Sequence, residues 1–357
     1  MSDRMKKTVL NETHQALGAK MIDFSGWSMP LHYGSQITEH NAVRDSVGLF
    51  DVSHMSVFDF IGKDQDAYFR RLLANDIQKI NAQKKSLYSL VVNESGGIID
   101  DLIVYKLDDR YRIVSNSATM AKNKAWFKQN IKSFDVGIKR REDLSILALQ
   151  GPQAVESFNQ LGILEPITFE YMGYASDQSI MVSRSGYTGE DGLELILPDH
   201  AVAETWQRLI AMNIQPIGLG ARDSLRIEAG FNLYGVDMDE TNHPFESNLG
   251  WSIDFRDPER NFIGKDALLN IDAKSCRQLL GVIVKGKGML RTGQKIKYPN
   301  GSGEVLCGTF SPLINASIGY ARMDRGYAHN GLVSIRDKHI EVEFVALPFI
   351  RNGRVVF

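Results

Sequence analysis

Apolar and polar positions alternate along this chain with two different periods, and the periods change place in an orderly way. Residues 86–106, SLYSLVVNESGGIIDDLIVYK, form two apolar runs around the polar turn Asn93-Glu94-Ser95-Gly96-Gly97. That pattern predicts a β-hairpin. Short apolar runs predict further strands at 57–61, 111–115, 144–150, 179–183 and 193–198. Helical spacing of apolar residues predicts helices at 64–75 (Ala67, Tyr68, Leu72, Leu73) and 37–46 (Ile37, Ala42, Val43). Others are expected over 8–20, from Asn116 through Trp126 to Ile131, and at 153–161, 201–212 and 218–230. Gly26, Pro30 and Gly34 break up residues 21–40 into loop and short strand. Strand, helix, hairpin, strand and helix in succession suggest an α+β sandwich unit. After Asn270 the texture becomes all β, with short apolar runs and glycine-rich turns. A small barrel or jelly-roll-like sheet is expected from a boundary near Ala273.

Two acids interrupt the second run of the hairpin, Asp100 and Asp101. Carboxylates are depleted in strands and costly to bury. Neighbouring strand residues face opposite ways, so one of the two must point inward if the sheet is half covered. The inward carboxylate needs a partner or a task. An edge-strand charge that blunts aggregation accounts for the pair equally well.

Other stretches carry candidate chemistry. Phe24, Trp27, His32 and Tyr33 crowd one loop, either as rings pinned to the core or as the wall of a small-molecule pocket. His54 stands alone beside a strand, where a satisfied structural histidine is the commoner outcome. Residues 184–192, RSGYTGEDG, combine three glycines, two acids and a tyrosine in a loop that brings backbone and carboxylates close to something. Arg222 and Arg226 share a helix face at i,i+4, either as intrahelical ion pairs or as a cationic clamp for a carboxylate.

Composition narrows the function classes. The 357 residues suggest two or three domains, and 43% apolar with 24% charged residues is ordinary globular composition. A formal charge of −2 makes no electrostatic case for nucleic acid or an anionic membrane. No run approaches the roughly 18 apolar residues of a membrane span. The N-terminus lacks the apolar core of a signal peptide, so a cytoplasmic location is expected. Cys276 and Cys307 are not in a Cys-x-x-Cys pair, and no His-x-x-x-His occurs, so no metal site is expected. Gly218-Leu219-Gly220 lacks the third glycine of a dinucleotide fingerprint, and no P-loop sequence is present.

Taken together, DFSGWSMPLHYGSQITEH, FDVSHM, SGGIIDDLIVY, SNSAT, LQGP, SGYTGEDGLEL, GLGARDSLRIEAGFNLYGVDMDE, NLGW, FIGKDAL and PFIRNGR resemble the aminomethyltransferase (T-protein) family of the glycine cleavage system. The resemblance runs from about residue 20 to the last residues, in family order. It implies two interleaved α+β domains within residues 1–273, one spanning approximately 52–140, and a C-terminal β-barrel over 274–357, arranged around a central folate channel. It also implies a reaction: ammonia is released from an aminomethyl group on a lipoylated carrier (H) protein, and the one-carbon unit passes to tetrahydrofolate as 5,10-methylenetetrahydrofolate. Asp100 matches the family's catalytic aspartate, which leaves Asp101 facing the other way in a structural role. Glu194 matches the pterin-binding glutamate, Tyr187 and Tyr88 match channel positions, and Arg222 matches the folate-contacting arginine, with Arg351 a further candidate. His54, Met55, Asn116 and Trp251 are expected to line the pocket. A related folate-dependent demethylase is the enzyme alternative, disfavoured by the intact GGIIDDLIV. A folate-binding accessory protein of iron–sulfur assembly would carry a cysteine motif where this chain reads Asn261-Phe262-Ile263-Gly264-Lys265-Asp266.

Overall fold

The computed structural model describes residues 5–80, 84–177, 180–326, 329–336 and 338–357. The 86–106 stretch is a hairpin of strands Ser86–Val92 and Ile98–Lys106, with a bulge at Val91/Val92. It belongs to a five-stranded sheet in which Ile98–Lys106 lies between Ser86–Val92 and Tyr111–Ser115, followed by Ser56–Ile61 and Gly137–Arg140. The acid pair is therefore on an interior strand, and the edge-strand explanation falls. Helices Gln65–Leu72 and Met120–Asn130 cover one face of this sheet, burying Phe58, Phe60, Tyr68, Phe69, Tyr111 and Phe127 in one aromatic core.

A six-stranded sheet is built from chain on both sides of that unit. Its order is Tyr174–Ser176, Met181–Ser183, Gly192–Pro198, Leu144–Gln150, Gly48–Asp51 and Gln215–Pro216. Because Gly48–Asp51 pairs with Leu144–Gln150, the whole five-stranded unit is inserted between two neighbouring strands of the second sheet. This is the physical form of the interleaving. Helices Ala154–Leu161 and Asp199–Ala211 cover its outer face. Phe50, Val52, Val57, Tyr105, Ile146, Ala148 and Ile196 form a third core joining the two sheets. The expected strand 179–183 begins at Met181, and Ser179 lies outside the described residues. The fold class is α+β with a closed barrel of six strands between Gln278 and Val345.

Several elements differ from expectation. The helix expected over 8–20 is only Asn11–Ala16, because Gly18 adopts φ 76° and the chain turns into strand Lys20–Phe24. Lys20–Phe24 and Trp27–His32 form a full hairpin where loop and short strand were expected. Helix Gln36–Asp45 buries Val43 as expected but leaves Ile37 half exposed and buries Glu39, His40 and Arg44 as well.

That inversion has a cause. Glu228, at the end of helix Leu219–Glu228, is fully buried. Its carboxylate accepts from Arg44 Nη2 (2.8 Å) and Nε (3.1 Å) and lies 3.1 Å from His40 Nε2. The Ser311 hydroxyl of the barrel donates to its other oxygen. Arg44 also bridges to Glu190 (2.6 Å), which accepts the amide of Gly353 (2.8 Å). One carboxylate thus ties a helix, a loop and the barrel together. Burial alone would raise the Glu228 carboxyl, but the His40, Arg44 and Ser311 contacts outweigh it and hold the group below its ordinary value.

A carboxyl depressed in the folded state stabilises above its ordinary value of 4.5, and that contribution is lost as pH falls through the lower folded value. Glu228→Gln should therefore lower stability by about 3–5 kcal/mol at pH 7, read as the urea midpoint. The deficit should shrink below about pH 4. Equal midpoints for variant and wild type at pH 7 would refute the tie.

Candidate active site

Strand alternation decides what the two acids of the hairpin can reach. Asp100 stands opposite Val91 and shares its face with Leu102 and Val104, the side packed by helices. Asp101 stands opposite Leu90 and shares the other face with Tyr88 and Ile103. Asp100 is fully buried. It accepts from Asn116 Nδ2 and Thr119 Oγ1, each at 2.7 Å, and from Asn123 Nδ2. Asp101 is half-buried and accepts from Asn116 Nδ2 at 2.8 Å and from the Tyr88 hydroxyl at 3.0 Å. The expectation that Asp100 meets substrate while Asp101 is structural does not fit this geometry. Asp100 does point inward, but inward means the helix-covered core; the sheet is covered on both sides, and the open space lies on the side of Asp101.

That space is bounded by the second sheet. Glu194, on strand Gly192–Pro198, and Arg222, on helix Leu219–Glu228, line a narrow cleft with Tyr187, Phe50, Val52 and Gln150. The Arg222 guanidinium sits over the Tyr187 ring, 4.4 Å from its centroid. Tyr187 stacks on Phe231 and donates its hydroxyl to the Asn232 carbonyl. The glycine-rich loop closes on Gln150, whose side chain donates to the Ser185 carbonyl and accepts from Thr188 Oγ1, both at 3.0 Å. A Cβ at Gly186 or Gly192 would collide with that amide at 1.8 and 2.2 Å. What Gly186 and Gly192 approach is the Gln150 side chain. A larger polar groove, formed by residues 42–47, 153–160 and 212–215, contains none of these groups.

The i,i+4 arginines have separate fates. Arg226 is buried and pairs with Asp223 (2.9 Å) and Asp237. Arg222 makes no ion pair among the described residues. The intrahelical reading thus holds for Arg226, and Arg222 keeps its charge available to an anion. Glu194 takes one hydrogen bond at Oε2 from Ser185, which is 2.8 Å from Ser183, itself 3.1 Å from the Tyr105 hydroxyl.

Desolvation is the largest influence on the charged groups of the cleft. Burial raises the Glu194 carboxyl, opposed by Ser185 and the Arg222 charge. Burial likewise lowers the Arg222 guanidinium. Asp101 is pushed up to about 7, first by burial and then by the charge of Asp100. A carboxyl titrating near neutrality can both take and give a proton at working pH. His54 is buried beside Arg222, its Nδ1 without a partner among the described residues, and burial pushes it down to about 3. It is a neutral ring, packed edge-on against Phe24 at 5.4 Å.

The remaining expected residues lie around this centre. Asn116 links the two acids. Met55 is half-buried in the core between the sheets. Trp251 is exposed and stacks on Tyr88, centroids 5.3 Å apart, forming a rim. Arg351 is exposed, and its charge reaches Tyr171, which also feels Glu194. Sequence reasoning missed Asn123, Thr119, Ser185 and Gln150, which orient the charged groups from behind. The i,i+3 and i,i+4 polar spacing of Asn116, Thr119 and Asn123 was the available signal. It also missed a buried Tyr33–His14–Asp51 relay, with contacts of 2.8 and 2.9 Å, that anchors the aromatic loop. No cluster of three metal-binding side chains occurs among the described residues.

Comparison with known proteins identifies the family. The family model described as the GCVT N-terminal domain matches residues 10–257, and that of the glycine cleavage T-protein C-terminal barrel domain matches 277–350. The chain is 46% identical to an aminomethyltransferase of Xylella fastidiosa (strain M23), covering 98% of both chains. It is 47% identical to one of Stenotrophomonas maltophilia (strain K279a), covering 98% of this chain and 97% of the relative. The crystal structure of the glycine cleavage system aminomethyltransferase T from Bartonella henselae superposes with a TM-score of 0.92 at 30% identity, over 98% of this chain and 99% of that one. The chain belongs to the glycine cleavage T-protein family of aminomethyltransferases.

Proposed function

We propose that the cleft between the two sheets is where an aminomethyl group on a dihydrolipoyl carrier meets tetrahydrofolate, with Asp101 as the carboxyl that exchanges protons there. The enzyme is a tetrahydrofolate-dependent aminomethyltransferase of the glycine cleavage system. The chemistry needs no change of oxidation state. The carbon's bonds to the amine nitrogen and to sulfur break, and bonds to two folate nitrogens form. The two hydrogens displaced from those nitrogens end on ammonia and on the thiol. The protein's task is therefore to hold two substrates and move protons between nitrogen and sulfur.

Each polar group has a part in this. Glu194, held at one oxygen by Ser185, offers its other oxygen to N–H donors of the pterin edge. Arg222, without an ion pair among the described residues, is suited to the folate's carboxylates. Arg351, at the rim near Tyr171, offers a second cation to the same tail. Tyr187, Tyr88 and Trp251 supply flat apolar walls. The observation that carries the reading is that Asp101 faces away from the helix-covered core, is only partly buried and titrates near neutrality, whereas Asp100 is enclosed by three side-chain donors. A lipoylated carrier protein as partner and a cytoplasmic location belong to the same proposal, the latter supported by two free buried thiols, Cys276 and Cys307. So does a division near residue 273, supported by the first barrel strand at Gln278–Val284.

Asp101→Asn should reduce kcat for ammonia release from loaded carrier by about 10²–10⁴-fold, with tetrahydrofolate affinity nearly unchanged by calorimetry. Near-normal turnover in this variant would overturn the assignment. Glu194→Ala should act the other way, weakening folate binding by about 10–150-fold with a smaller effect on kcat at saturation. Arg222→Ala should weaken binding of the glutamyl form more than that of a pteroyl compound lacking the carboxylates. Equal losses for both ligands would remove Arg222 from the tail.

A further inference from the structure

The assignment of Asp101 leaves Asp100 without a task, although its burial is costly. It is fully enclosed, and among the described residues neither acid forms an ion pair. Two carboxylates on consecutive residues are joined through one amide: the two hydrogens of Asn116 Nδ2 go to Asp100 Oδ1 (2.7 Å) and Asp101 Oδ1 (2.8 Å). A structural plug for the start of helix Met120–Asn130 would not require a charge, since a neutral polar side chain could take the Thr119 hydroxyl bond.

We propose that Asp100 is a positioning residue for the reaction: it fixes Asn116 so that the amide orients Asp101, and its buried charge keeps a proton on Asp101 at working pH. This rests on Asp101 being the carboxyl of the cleft.

The donor sets decide which acid keeps the charge. Asp100 has three side-chain donors, Asn116, Thr119 and Asn123; Asp101 has two, Asn116 and Tyr88. Like charges this close cannot both ionise freely; burial raises Asp100 too, but its three donors oppose that, so the acid with more donors holds the anion and the other the proton. The other groups facing the pair do not cancel this. Tyr88 and Tyr187, from strand Ser86–Val92 and the glycine-rich loop, are raised by burial and stay neutral. Tyr234, near Asp100, is neutral and bonded by Lys122, whose ammonium is also held by Glu240 at 2.7 Å. Arg222 faces Tyr187 and Glu194. The upward displacement of Asp101, with Asp100 the second cause after burial, agrees with this arrangement.

The test has two arms. The first is the pH profile of ammonia release from loaded carrier with tetrahydrofolate. Wild type should show an ionisation near 7. In Asp100→Asn, loss of the neighbouring charge should move it about one unit or more toward acid, with folate affinity within about threefold. A lower rate with the ionisation unmoved would make Asp100 merely structural and overturn the proposal. The second arm uses carboxyl-carbon NMR of labelled Asp101→Asn and wild-type protein, which keeps Asp100 in place. The Asp100 resonance should titrate about one unit or more lower in the variant, since the coupling is reciprocal. An unmoved Asp100 titration would overturn the proposal even if Asp100→Asn fails to fold. Failure of the underlying reading is distinguishable, because it would appear as an active Asp101→Asn whatever the coupling.

Discussion

A buried carboxylate has to be neutralised where it lies, and in this protein that constraint assembles the molecule. Glu228 sits at the end of the helix that also carries Arg222, with no water to solvate it. Its counter-charge comes from Arg44 on helix Gln36–Asp45, which also places His40 Nε2 3.1 Å away, and its second oxygen is bonded by Ser311 of the barrel. Arg44 passes the contact on to Glu190 in the loop that precedes the Glu194 strand. The segments that must meet to make the cleft are thus joined by one charge-assisted network. Interactions of this kind specify a single arrangement more than they add stability, since an apolar substitute could pack as well but would not dictate partners.

The cleft depends on that arrangement because no unit contains it alone. Glu194 and Tyr187 come from the second sheet and its loop, Arg222 from the helix tied by Glu228, and Asp101 and Tyr88 of the inserted sheet stand beside Tyr187. Each of these groups is desolvated yet open on one side. Among the described residues neither Asp101 nor Arg222 forms an ion pair, although Arg222 feels the charge of Glu194. These unspent charges are what the family's two substrates, one an amine and the other a pterin with carboxylates, are suited to meet. Groups behind the cleft spend their hydrogen bonds on orientation instead: Ser185 on Glu194, Asn116 on both aspartates, Gln150 on the loop. That division between binding side chains and orienting ones is how a site can guide proton movement without a redox centre.

Much of this was legible in the chain before folding. The hairpin, the β texture after residue 270, the amphipathic helix with Tyr68 and Leu72, and the glycine-rich loop all depend on local periodicity and turn chemistry, which are properties of neighbouring residues. The types of side chain needed for the chemistry were equally visible, because carboxylates in a strand and paired arginines in a helix are unusual wherever they occur. Local rules misread the polar face of helix Gln36–Asp45, since apolar spacing cannot announce a helix buried through Glu39, His40 and Arg44.

Which carboxylate faces the helix-covered core was decided only by tertiary structure. Alternation says that Asp100 and Asp101 look opposite ways, but it carries no information on what covers each face. Helices Gln65–Leu72 and Met120–Asn130 happen to cover the side of Asp100, and the distant segments bearing Glu194 and Arg222 come to the side of Asp101. The same holds for the arginines, where Asp237 claims Arg226 and leaves Arg222 open. Periodicity is a short-range property and is written in the chain. The assignment of a face to core or cleft is a contact between segments more than a hundred residues apart, and it exists only once they have packed.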